Sequence, residues 1–186
     1  RHAFGWKSQP AIARLHEAVS EIALVARVDP ILGAEGAVVL LERLSPALEQ
    51  VDSSSGAIGS AVNLALAELT SLIAEAAAAP PLRDEWLERL WQAFNDDEIP
   101  YLESLGGQWG AICGSRERAS DWADEHLWVT SQALGPDPSM RGYYKGATAC
   151  LSALHRAERF EELLTLVERN PTGLWHYREW GVRALV

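Results

Sequence analysis

Apolar residues recur along this chain with a period close to 3.6, the spacing that gives a helix one buried stripe. The clearest run is Ile58 to Ala79, where Ile58, Val62, Ala65, Leu66, Leu69, Leu72, Ile73 and Ala76 fall on one face. The preceding Asp52-Ser53-Ser54-Ser55-Gly56 reads as a turn carrying N-cap residues, and Pro80-Pro81 is expected to end the helix. Pro10–Val28 repeats the pattern with Ile12, Leu15, Val19, Ile22, Ala23 and Ala26, and Asp29-Pro30 closes it. Glu35–Val51 carries Val38, Leu41, Leu44, Leu48 and Val51, with Pro46 predicting a kink or a fresh start capped by Ser45. Leu82–Asp96 shows Leu87, Leu90, Trp91 and Phe94, and residues 100–113 show Leu102, Leu105, Trp109 and Ile112. Glu117–Leu134 places Ala119, Trp122, Ala123, His126, Val129 and Ala133 together. Residues 143–157, 159–169 and 174–186 complete nine expected helices. The fold class is therefore all-α, with antiparallel helix pairs forming a bundle or a short α-solenoid.

The segment Gly135-Pro136-Asp137-Pro138-Ser139-Met140-Arg141-Gly142 breaks this regularity with two prolines and two glycines. It is the expected hinge between an acidic helical bundle at 1–134 and a C-terminal helical piece at 143–186, the two being separate or continuous. The C-terminal piece is self-similar. A shift of 31 residues lays Tyr144 on Trp175, Cys150 on Gly181, Leu151 on Val182 and Ala153-Leu154 on Ala184-Leu185. Such a period suits stacked helix pairs. The turn Ala157-Glu158-Arg159-Phe160-Glu161-Glu162-Leu163-Leu164 resembles that of tetratricopeptide repeats, in which a small residue and an aromatic precede Glu-Glu and an apolar residue. Asn170-Pro171 cuts the second helix about one turn short of that pattern, and no binding residue is carried over from the family. Residues 20–130 resemble a bacterial all-helical family whose members can accompany SWIM zinc fingers. No SWIM cysteine pattern is present, and that family implies no particular activity.

Composition reinforces the helical reading. Ala, Leu and Glu together fill 71 of 186 positions, against 23 for Val, Ile and Thr. The formal net charge of −10 disfavours nucleic acid and anionic membrane surfaces as partners. That charge is unevenly spread. Residues 1–113 hold 7 basic and 16 acidic side chains, and residues 114–186 hold 9 and 10. No apolar run reaches the length of a membrane span, and the Arg1-His2-Ala3-Phe4 start has no signal-peptide core. The chain lacks an initiating Met, which points to a processed, trimmed or partial product. Cys113 and Cys150 are single cysteines without metal-site or disulfide spacing, so two buried thiols in a reducing cytoplasm are expected.

Motifs for catalysis are missing. There is no nucleophile elbow, no phosphate-binding glycine loop and no dinucleotide fingerprint. Asp96-Asp97-Glu98 lacks the calcium-loop spacing and reads as a helix-end turn. The histidines His2, His16, His126, His155 and His176 are scattered. No catalytic residue, metal ligand or cofactor is therefore expected. The one titratable cluster, Asp121, Glu125 and His126, supports an alternative: a helical enzyme or small-molecule sensor with a pocket between helices. That alternative requires these side chains to converge in a cavity.

Tryptophan is abundant, with eight copies. Trp91, Trp109 and Trp122 lie on apolar stripes, whereas Trp86 and Trp128 fall off theirs, and Trp6 precedes the first predicted helix. Exposed Trp, Tyr and Arg are the side chains that anchor interfaces. Trp128, Arg141, Tyr143, Tyr144, Trp175 and Trp180 are accordingly the candidate protein-binding residues. The expected function is a non-catalytic scaffold that binds another protein or peptide, or self-associates through its C-terminal helix.

Overall fold

The computed structural model describes residues 8–49, 51 and 56–186. Trp6, His2 and the Asp52–Ser55 caps lie outside the described residues. Nine α-helices and no strand occur among those described. They are α1 (Gln9–Ala26), α2 (Pro30–Leu48), α3 (Ala57–Glu75), α4 (Pro80–Asp96), α5 (Leu105–Ile112), α6 (Arg116–Ala133), α7 (Ala147–Arg156), α8 (Phe160–Arg169) and α9 (Trp175–Leu185). The chain divides into two compact units, residues 1–104 and 105–186. The division expected at the 135–142 loop differs from this one. Helices α5 and α6 make their main packing contacts with α7, so they sit in the second unit.

In the first unit α1, α2 and α3 pack on one another and α4 packs on α2. Leu15, Val38, Leu41, Leu66, Leu69 and Ile73 are buried there, as the stripes require. Helix α3 is long and apolar enough to cross a membrane by length and composition. Its stripe of Ile58, Val62, Ala65, Leu66, Leu69 and Ile73 is instead packed inside the unit.

Prolines start helices here more often than they stop them. Pro30 occupies the first turn of α2, and the Asp29 carboxylate accepts the Leu32 N–H at 3.0 Å. The helix therefore begins before Glu35, because proline has no N–H to lose at that position. α2 then runs through Pro46 to Leu48, so the fresh start expected at Ser45 is not made. Pro80 and Pro81 likewise open α4, while α3 has already ended at Glu75. That C-terminus is closed from a distance. Buried Arg83 donates to the carbonyls of Ile73 at 2.6 Å and Ala76 at 2.5 Å. A guanidinium is suited to this because it offers several donors and opposes the partial negative charge of a helix end.

Burial on α4 also differs from expectation. Trp86 is fully buried and its indole N–H donates to Glu35 Oε2 at 2.6 Å, whereas Trp91 is only half-buried. The true stripe is Arg83, Trp86, Leu87, Leu90 and Phe94. Arg89 fixes α4 against α2 through Glu42 (3.0 and 2.7 Å) and Glu35 (2.7 Å). The two-pronged grip of Arg89 holds the Glu42 carboxyl below the usual range.

In the second unit α5 meets α7 very closely. A Cβ at Gly110 would lie 2.2 Å from the Ser152 carbonyl oxygen. Ser152 ties the pair together, accepting the Gly110 N–H at 3.0 Å and donating to the Gly107 carbonyl at 3.0 Å. Trp109, Ile112, Cys113, Cys150, Leu151 and Leu154 are buried, and both thiols are free. α7 starts at Ala147, so Tyr143 and Tyr144 belong to the preceding loop. It ends in a paired-turn cap, with Arg159 N–H bonded to Leu154 O and Glu158 N–H to His155 O, both at 3.0 Å. Glu158 holds a left-handed φ of 59° there.

Candidate functional site

Helices α6 and α8 flank a groove of about 580 Å³ in the second unit. Ser115 starts α6 by accepting the Arg118 N–H at 3.1 Å. The buried side of α6 consists of Ala119, Trp122, Ala123, Thr130 and Ala133. Its groove side is Asp124, Leu127, Trp128 and Ser131. Helix α8 contributes Glu161, Glu162, Thr165 and Leu166. Trp128 is 66% exposed, so its indole face is open to an occupant of the groove.

The two walls run in the same direction, because Asp124 to Ser131 of α6 line one space with Glu161 to Leu166 of α8, and Ser131 onward line the next with Leu166 and Arg169. Asp124 faces Glu161 and Glu162 at one end. At the other end a smaller pocket of about 170 Å³ is lined by Ser131, Gln132, Leu134, Gly135, Leu166 and Arg169, among others. Ser131 and Leu166 line both spaces, so one depression continues into the other. From Asp124 to Gln132, or from Glu161 to Arg169, each wall is roughly 12 Å long at 1.5 Å per residue.

Arg159 organises the acidic end. It donates to both Glu162 oxygens at 2.7 Å, to Asp124 at 2.6 Å, and to the Ser120 hydroxyl and carbonyl at 3.2 Å. The guanidinium lowers the Glu162 carboxyl below its usual range, so that group is ionised at neutral pH. The end therefore presents Asp124 and Glu162 bridged by one guanidinium, with the Glu161 carboxylate lining the same groove beside them.

The Asp121, Glu125 and His126 cluster does not converge. Asp121 and Glu125 are exposed on α6. The His126 ring stacks on Trp122 at 3.8 Å, with Nδ1 3.0 Å from the Trp122 carbonyl, and Trp122 packs on Trp109 at 5.2 Å. The histidine is thus a packing element, and the acid/base pocket fails the convergence it required. Among the described residues no group of three or more His, Cys, Asp or Glu could hold a metal ion.

Of the candidate binding residues, Trp128 lines the groove and the others lie elsewhere in the unit. Arg141 and Tyr143 are exposed in the loop before α7, where the Arg141 N–H bonds to Asp137 O at 2.9 Å. Tyr144 is half-buried, and burial pushes its phenol up to about 12. Trp175 is 67% exposed at the start of α9. Trp180 is buried, with His155 edge-on at 5.8 Å and the Arg183 guanidinium over its ring at 4.6 Å. It is a core residue, because α9 turns Tyr177, Trp180 and Gly181 inward. The sequence reading missed Leu127, Leu166 and the three carboxylates. The Glu161-Glu162 pair at the start of α8 was their one visible signal.

Comparisons with protein-family models, with curated proteins and with solved structures find no match.

Proposed function

We propose that this chain is a non-catalytic helical scaffold that binds a segment of another protein, with the α6–α8 groove of the second unit as the seat. The observation that carries this reading is Trp128, a largely exposed indole set beside the apolar side chains Leu127 and Leu166 in a groove of about 580 Å³. Tryptophan supplies a large contact area at little conformational cost, which makes it a common interface anchor. The short α7, α8 and α9 helices support a tetratricopeptide-like stacking of helix pairs as the frame for this groove.

The test uses the full chain as bait in its native cell extract, followed by mass spectrometry and affinity measurement with each recovered protein. Trp128→Ala should weaken the true partner about 30-fold, corresponding to a hot-spot loss of about 2 kcal/mol. The reading is refuted if every recovered partner binds the variant as tightly as the wild type.

Self-association is a second reading with its own observation. Trp175, Val182 and Leu185 of α9 are all exposed. Light scattering after size exclusion should then show a dimer that Val182→Glu dissociates, and a monomer at all concentrations removes this reading.

A further inference from the structure

Other features of the molecule explain themselves as structure. The Asp96–Glu98 run caps a turn, with Asp97 Oδ2 accepting the Leu102 N–H at 2.7 Å. Cys113 and Cys150 are buried thiols, and burial pushes Cys150 up to about 11. The Arg89 cluster joins two helices. An apolar patch formed by Leu24, Val28 and Leu32 is exposed near the α1–α2 turn, with nothing beside it to specify an occupant.

The α6–α8 groove does specify one. We infer that its occupant is a basic amphipathic segment of a partner protein, placing apolar side chains over Leu127, Trp128 and Leu166 and a Lys or Arg against Asp124, Glu161 and Glu162. This rests on the reading that the groove is a protein-binding seat, and it adds the partner's chemistry.

Charge complementarity carries the step. The mouth holds three carboxylates, and Arg159 neutralises only one equivalent of them. Arg159 already bridges Asp124 and Glu162, so its positive charge is taken up by carboxylates before any occupant arrives. Glu161 is exposed beside Thr165 on the same wall. An acidic occupant would meet this excess negative charge directly, and like charges brought together cost binding. A purely apolar occupant would shield the carboxylates from water without pairing them. Lysine or arginine with a long aliphatic stem satisfies both surfaces, because the stem lies on the indole while the head reaches the rim. The walls also limit size. Roughly 12 Å of groove takes about two turns of helix, so one apolar stripe with one or two flanking cations fills it.

The experiment titrates the full chain with three fluorescein-labelled, terminally blocked helical peptides of equal length. They share one leucine stripe and differ only in their polar residues, which are lysine, glutamine or glutamate. The lysine peptide should bind about tenfold more tightly than the glutamine peptide, the product of about two exposed ion pairs. The glutamate peptide should bind more weakly than both. Glu161→Lys brings the mouth from an excess of two negative charges to none, so it should abolish the advantage of the lysine peptide over the glutamate peptide, and added salt should shrink that advantage in the wild type. Equal affinities for all three, or a ranking unmoved by Glu161→Lys, overturns the basic-partner inference while leaving an apolar seat in place. Binding that survives Trp128→Ala, or no binding of any peptide at millimolar concentration, overturns the groove reading itself. Circular dichroism of both variants checks that neither loss comes from unfolding.

Discussion

Two glycines on one face-to-face helix pair should respond oppositely to the same substitution. Gly110 sits where α5 meets α7. A Cβ there would lie 2.2 Å from the Ser152 carbonyl oxygen and 2.7 Å from the Arg156 Cβ. The first of these is backbone, so no rotamer change relieves it and the helices must separate. Overpacking of this kind costs about 1–3 kcal/mol. Separation also strains the Gly110 N–H to Ser152 Oγ bond and the Ser152 Oγ to Gly107 O bond, each 3.0 Å and each contributing about 1 kcal/mol. Alanine returns about 1 kcal/mol through its better helix propensity. Gly110→Ala should therefore destabilise the protein by about 2–4 kcal/mol. Gly107, on the same helix, has nothing within 4 Å of its would-be Cβ. Gly107→Ala should stabilise by about 0.5–1 kcal/mol through propensity alone. Urea unfolding followed by circular dichroism gives both values, provided the slope of the transition is unchanged. A neutral or stabilising Gly110→Ala would refute the close-packed α5–α7 contact.

Three further outcomes follow from single interactions. Arg83→Met keeps the aliphatic stem but strips the donors from the Ile73 and Ala76 carbonyls, so thermal unfolding should show a loss of about 2–4 kcal/mol, with Arg83→Lys restoring part of it. Glu158→Gly should stabilise by about 0.5–1 kcal/mol in the same assay, because glycine adopts the φ of 59° without strain and the forfeited Arg116–Glu158 pair is exposed. Stability should fall as pH drops below about 4.5. Glu42 and Glu162 have carboxyls lowered in the fold by Arg89 and Arg159, so their contribution is present above the ordinary glutamate value and is lost as pH passes down through the folded one. Denaturation at pH 7, 4 and 3 should show a shallower fall for Arg89→Met than for the wild type.

The helices were legible because each needs only a local stripe: nine appear among the described residues, although α2 starts before the expected Glu35, and α5 and α7 start at Leu105 and Ala147, after the expected 100 and 143. What failed was local punctuation with two meanings. Asp29-Pro30 and Pro80-Pro81 satisfy the rules for stopping one helix and for starting the next, and the chain uses them as starts. Trp86 was misplaced for a different reason. Its stripe contains Arg83, and a buried arginine looks like a surface residue until the carbonyls it caps are known. Those carbonyls belong to another helix. The groove follows the same logic. That Trp128 falls off the α6 stripe is local information. That Leu166 and Glu161 stand opposite it depends on α7 returning the chain, which no single-helix pattern encodes.

The charge balance gains meaning at this level. The second unit's stretch of sequence is nearly neutral, with 9 basic and 10 acidic residues from position 114 onward. Near-neutral composition does not make a neutral surface. Arg116 is paired with Glu158, Arg159 with Asp124 and Glu162, and Arg183 with Glu179. These pairs spend cations on holding the unit together, at the α7–α8 turn and along α9. Asp121 and Glu125 on α6 and Glu161 on α8 remain exposed. A basic face built from Arg116 and Arg159 would have to break ion pairs of 2.6 Å before it could grip a phosphate. A cationic side chain entering the groove meets carboxylates already held in place by Arg159. The same internal pairing that makes the unit's composition look indifferent to charge leaves the tryptophan-lined α6–α8 groove with an acidic mouth.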